Sequence, residues 1–166
     1  MTLSTAVLDA GRDTAGPLLD LVRATAAEPA IWTPAVRFDA TSRYWARLPA
    51  PDGVDLWLLT WLPGQDTDLH DHGSAAAAVT VLSGAVSEVR AAQDGTLTSE
   101  FLTAGASVWV PPRAVHDVRH AGSGPAVTLH AYAPRLDSMT FYETGPYGLR
   151  ATRTVRTDQP ELADAS

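Results

Sequence analysis

Apolar and polar positions recur with two different periods along this chain, and the change of period divides it. Leu18, Leu19, Val22 and Ala26 fall at helical spacing behind Gly16-Pro17. An amphipathic helix is therefore expected there, with Pro17 in the first turn and Pro29 ending it. Residues 31–39 fit a second short helix or an extended segment. From residue 43 the period shortens. Residues 43–48 alternate, 49–53 (PAPDG) form a turn, and 54–62 are almost all apolar, as in a strand buried on both faces. Strand-like runs follow at 77–82, 85–92, 96–103, 107–110, 115–120, 126–133 and 138–143. Ser83-Gly84, Asp94-Gly95 and Pro111-Pro112 punctuate them. Many short strands with turns at close intervals predict an all-β sandwich or barrel capped by the N-terminal helix. Residues 1–14 read as a loose lead-in and 15–150 as one domain. Residues 151–166, polar and without pattern, are expected to be a mobile tail.

Composition narrows the function more than the fold. A chain of 166 residues, 45% hydrophobic, supports one core. No apolar run reaches membrane-spanning length, and the first residues lack the basic and apolar regions of a secretory signal, so a cytoplasmic location is expected. There is no cysteine, hence no disulfide and no thiolate ligand. The formal charge is −7 and all twelve basic residues are arginine. An acidic surface without a basic stripe argues against nucleic acid and anionic membranes, and favours a small-molecule enzyme. A monomer is the expected state.

The candidate chemistry lies in two glycine-led segments. In the first, five residues follow Gly64 before His70-Asp71-His72, and Gly84 closes the next strand. Histidines at i and i+2 of a strand point the same way, so they can grip one ion from one wall. In the second, five residues separate Gly105 from Pro111, and His116 follows. His70, His72 and His116 are the expected metal ligands. Three neutral imidazoles leave a divalent ion its charge and its open positions, which suits catalysis better than structure. Imidazole alone does not choose between zinc, copper, nickel and iron. His120, four residues after His116, is read as a non-ligand.

These two segments resemble the two motifs of the cupin superfamily, spacing for spacing. The resemblance implies a small jelly-roll β-barrel of cupin type with an N-terminal helical cap. It departs from the pattern in one respect that matters. The stretch where the first motif usually carries a glutamate ligand is Ala75 to Ala78, leaving a site of three histidines only.

Thr128, His130 and Tyr132 stand at i, i+2 and i+4 on one face of a predicted strand, with Val127, Leu129 and Ala131 on the other. A hydroxyl, an imidazole and a phenol in a row can form a hydrogen-bonded relay, or simply the wet face of a strand. With this element, residues 43–143 resemble the type I cysteine dioxygenases. The resemblance implies Fe(II) on His70, His72 and His116, and oxidation of L-cysteine by O₂ to cysteine sulfinic acid. It also implies Tyr132, His130 and Thr128 as the catalytic relay, and an arginine on the substrate carboxylate. Arg47 is the expected one, with Arg43 on the same face of the strand as the alternative. The cysteine that some members crosslink to the tyrosine corresponds to Ala77. Rival readings are a dioxygenase for a related thiol such as 3-mercaptopropionate, a non-catalytic metal-binding cupin sensor, and a zinc or nickel cupin of other chemistry.

Overall fold

The computed structural model describes residues 15–159, so the lead-in expected at 1–14 and the end of the tail lie outside the described residues. Helix α1 (Ala15–Ala26) buries Leu18, Val22 and Thr25 on one stripe, with Leu19 and Ala26 at its margins. A short helix α2 (Pro29–Trp32) and a 3₁₀ turn (Thr33–Ala35) follow, which makes the start of the ambiguous segment helical.

Eleven strands come next among the described residues: β1 (Trp45–Leu48), β2 (Asp55–Trp61), β3 (His70–Asp71), β4 (Ala76–Ser83), β5 (Ala85–Ala91), β6 (Leu97–Thr103), β7 (Ser107–Val110), β8 (Val115–Ala121), β9 (Ala126–Ala133), β10 (Ser138–Gly145) and β11 (Gly148–Arg156). They form two antiparallel sheets, ordered β1-β2-β9-β4-β7 and β11-β10-β3-β8-β5-β6. The jelly-roll expectation holds, but the two sheets face each other as a sandwich and are not closed into a barrel.

The five-stranded sheet is buried on both faces, which explains why residues 54–62 showed no alternation. Trp57, Leu59 and Trp61 face the second sheet across a core shared with Val86, Val118 and Phe141. Leu56 and Leu58 face outward, under Leu18 and Val22 of α1. The six-stranded sheet keeps a wet face, and β6 buries only Leu102. Gly84 turns β4 into β5 at φ 72°, and a Cβ there would meet the Pro125 carbonyl oxygen at 2.4 Å.

One expectation fails. Residues 151–156, assigned to a mobile tail, are strand β11, paired with β10 from Gly145↔Gly148 to Ser138↔Arg156. As an edge strand with a solvated face, it is rich in threonine and arginine and has no apolar stripe to betray it. Val155 alone packs on the core.

Candidate metal centre

The six-stranded sheet builds one wall of the site. Strand β3 is two residues long and bridges its neighbours at one position: His70 pairs with His116 on one side and with Phe141 on the other. Asp71 points away from the histidines. It accepts the Gly73 N–H at 2.8 Å and the Tyr142 hydroxyl at 2.6 Å, which pins the turn carrying His72.

His70, His72 and His116 are 2–3% exposed, and their nearest ring nitrogens lie within 4.8 Å of one another. The His72 Nε2 is 3.0 Å from His70 Nε2 and 3.3 Å from His116 Nε2. Such separations suit an N–H···N hydrogen bond or a shared ion, and the other ring nitrogens of two of the three are already committed. His70 Nδ1–H donates to the Asp68 carbonyl at 2.8 Å, and His116 Nδ1–H donates to Glu88 Oε1 at 3.1 Å. Their Nε2 atoms are therefore lone pairs aimed at one point. Burial pushes the His70 and His72 imidazoles well below the ordinary histidine range; the nearby His116 adds to this for His70, as His70 does for His72. Two lone pairs converging in this way repel unless a proton on His72 or a cation lies between them. Two imidazole nitrogens about 2.0–2.1 Å from a common ion are about 2.8–3.4 Å apart at octahedral to tetrahedral angles. The residues present thus fit a divalent metal. Among the described residues no carboxylate joins them, and Ala75 to Ala78 are all buried methyl groups.

The five-stranded sheet builds the opposite wall. Tyr132 stacks edge-on against His72, ring centroids 4.9 Å apart. Ala77 is its cross-strand partner. Burial pushes the Tyr132 phenol up; the Asp55 carboxylate, whose residue pairs with it across the strands, adds to this, and Arg43 works the other way. The phenol stays protonated and can donate. Trp61 Nε1–H donates to Thr128 Oγ1 at 2.9 Å, and Thr128 Oγ1 lies 2.8 Å from His130 Nε2. The indole can only donate, so Thr128 Oγ1 accepts from it and directs its own O–H at His130 Nε2, which puts the single N–H of the ring on Nδ1. Burial, then His116 and Arg43, push the His130 pKa down to about 3, so the ring is neutral. Between His130 and Tyr132 the relay is open: the rings stand 6.5 Å apart and no hydrogen bond joins them.

The two arginines differ. Arg47 lies at the rim, 46% exposed, over the Trp57 ring; it donates to the Asp158 carbonyl at 3.1 Å and stands 3.8 Å from the Asp158 carboxylate. Arg43 is 6% exposed, with its guanidinium 4.7 Å over Trp61 and donating to the Asp66 carbonyl. Its charge reaches His70, His130 and Tyr132. Of the two, Arg43 is the buried guanidinium and Arg47 the exposed one. His120 bonds the Gly124 carbonyl at 2.8 Å, away from the cluster.

Glu88 and Trp61 escaped sequence reading. Glu88 had a signal, being a carboxylate in register with buried Val86 on one strand. Burial would raise its carboxyl, but the hydrogen bond from His116, with Arg90 behind, outweighs that and holds it below the ordinary glutamate value. Trp61 had none, standing among other apolar residues.

Fold and site together define a cupin: two antiparallel sheets enclosing three buried histidines from the two glycine-led motifs. Residues 14–145 match the family described as Cysteine dioxygenase type I, and the chain belongs to that family. Solved structures agree on the fold. The TT1209 protein of Thermus thermophilus is similar with a TM-score of 0.55 at 22% identity, over 61% of this chain and 92% of that one. An uncharacterized conserved protein with a double-stranded β-helix domain from Klebsiella pneumoniae gives 0.54 at 21%, over 73% and 93%. A recombinant oxalate oxidase in complex with glycolate gives 0.54 at 17%, over 62% and 56%. Among curated proteins no match is found. No helix among the described residues is long and apolar enough to cross a membrane.

Proposed function

We propose that this protein is an Fe(II)-dependent thiol dioxygenase that oxidises L-cysteine to cysteine sulfinic acid. The observation that carries the reading is the donor set: three buried imidazoles with no carboxylate among the described residues beside them, faced across the core by a protonated phenol. Bound at His70, His72 and His116, Fe(II) would favour the substrate's thiolate by its charge and bring O₂ to it. A site with no anionic ligand suits an anionic sulfur. The reaction balances without a further reductant, since both oxygen atoms enter the product and the sulfur supplies the four electrons.

The chain's own residues do the rest. Arg43 holds the substrate carboxylate and fixes the orientation of the thiol end toward the histidines. Tyr132, edge-on to His72, donates its O–H to the reacting sulfur or its new oxygen. His130 stays neutral beside it and is locked in one tautomer by Thr128 and Trp61. Trp57 and Trp61 keep water from this wall.

Oxygen uptake by the iron-loaded protein, with L-cysteine and 3-mercaptopropionate side by side, tests the reading. Uptake with cysteine and a product heavier by two oxygens is expected. Uptake with 3-mercaptopropionate alone keeps the chemistry and overturns the substrate. No uptake with either thiol, despite bound iron, leaves a non-catalytic metal-binding cupin.

A further inference from the structure

The three ligands are not supported alike. Behind His70 is a neutral carbonyl, that of Asp68. Behind His72 there is no group: its Nδ1 is buried without a partner among the described residues. Behind His116 is a full negative charge, the Glu88 carboxylate, whose side chain is 1% exposed. The second Glu88 oxygen accepts the Arg90 Nε–H at 3.1 Å. Arg90 is 39% exposed and is itself held by the Trp109 carbonyl.

A carboxylate buried this deeply costs several kcal/mol in desolvation and is weak evidence for stability alone. Orienting His116 would need only a neutral acceptor. A charge at this place makes sense against a cation on the far side of the ring. We propose that Glu88 is a positioning residue that supplies, through His116, the negative charge that a glutamate ligand would otherwise place on the metal. A charged acceptor on Nδ1–H makes Nε2 a stronger donor, which tightens metal binding and favours the more highly charged ion over the less. The row Arg90–Glu88–His116 then sets the charge of the site in two steps of opposite sign. This inference rests on the metal site of the proposed function and not on its substrate.

The test uses the full-length chain and two readouts that need no turnover: Co(II) affinity by chelator competition, and the midpoint potential of bound iron. Glu88→Gln keeps the shape and an acceptor for Nδ1–H and removes the charge. It is expected to weaken Co(II) binding about 10- to 100-fold. It should also raise the iron potential, by about 59 mV for each tenfold change in preference between the two oxidation states. Arg90→Gln leaves Glu88 in place and strips its counter-charge, so both quantities should move the opposite way. Circular dichroism of the metal-free variants checks that they fold. If Glu88→Gln binds Co(II) within twofold of the parent and leaves the potential unchanged, Glu88 is only a prop and the inference falls. Weaker Co(II) binding or a raised potential in Arg90→Gln overturns it too, and that outcome stands even if Glu88→Gln fails to fold. A parent that binds Co(II) but consumes no oxygen with either thiol defeats the dioxygenase reading and leaves this test standing.

Discussion

Thr128→Val isolates the hydrogen bonds behind the substrate wall, because valine copies threonine's volume. Thr128 is fully buried, and its hydroxyl both accepts from Trp61 Nε1–H and donates to His130 Nε2. The substitution leaves no cavity but strands both partners, at 0% and 3% exposure. A buried polar group left without a partner costs about 1–3 kcal/mol, so the pair should cost about 2–6 kcal/mol. For a chain of this size each kcal/mol lowers the melting temperature by about 2–4 °C, and a fall of about 5–20 °C is expected. Thr128→Ser gives the contrast. It keeps the hydroxyl and loses one methyl, at about 0.5–1.5 kcal/mol. Volume alone ranks valine above serine; the hydrogen bonds rank serine above valine. Thermal melts of the metal-free proteins at pH 7.5 decide it. If the valine variant melts at or above the serine variant, the Thr128 hydroxyl does not hold Trp61 and His130 as described.

Two further predictions concern charge. His130 is pushed down to about 3, and His70 and His72 shift the same way, so the unfolded chain binds protons that the native chain refuses. The stability this gives is complete above about pH 6.5 and is lost as the pH falls below it, by up to about 1.4 kcal/mol per pH unit for each histidine. The metal-free protein should hold its melting temperature from pH 8 to 7 and lose it steeply toward pH 5; a flat profile would place these imidazoles in water. Arg43→Gln should raise the KM for cysteine about 10- to 100-fold, the worth of a charged hydrogen bond. Steady-state kinetics beside Arg47→Gln would reverse the choice of arginine if only the latter raises KM.

The metal wall was legible because its geometry is local. Two histidines at i and i+2, a turn glycine and a second glycine-led segment fix the pattern without knowledge of which strands pair. Face assignment on β9 was legible for the same reason: Thr128, His130 and Tyr132 share a face by period alone. What could not be read depends on the meeting of distant elements. Whether Arg43 or Arg47 is the buried one is set by where β1 enters the sandwich, since both lie on one face and only the inner one is covered. The Trp61 bond to Thr128 spans 67 residues, and the Glu88 bond to His116 spans 28. Strand β11 was missed because pairing with β10, rather than apolar alternation, holds an edge strand in place.

The two walls belong to different sheets, and that separation has a chemical consequence. His70, His116 and the Glu88 carboxylate come from strands of the six-stranded sheet, with His72 on the turn after β3, whereas Tyr132, His130 and Thr128 come from β9 of the five-stranded one. Each histidine whose tautomer is fixed is fixed from a different direction: His70 by a backbone carbonyl, His116 by a carboxylate, His130 by a hydroxyl. Metal affinity and substrate handling can therefore be disturbed one at a time. Glu88→Gln acts on the metal wall and leaves the Trp61–Thr128–His130 bonds in place. Thr128→Val acts on the other wall and should leave Co(II) affinity within a few-fold of the parent, because no atom it strands bonds to a metal ligand. If Thr128→Val also cost a hundredfold in Co(II) affinity, the walls would not be independent. His72 and Tyr132, whose rings touch across the gap, would then be the contact that couples them.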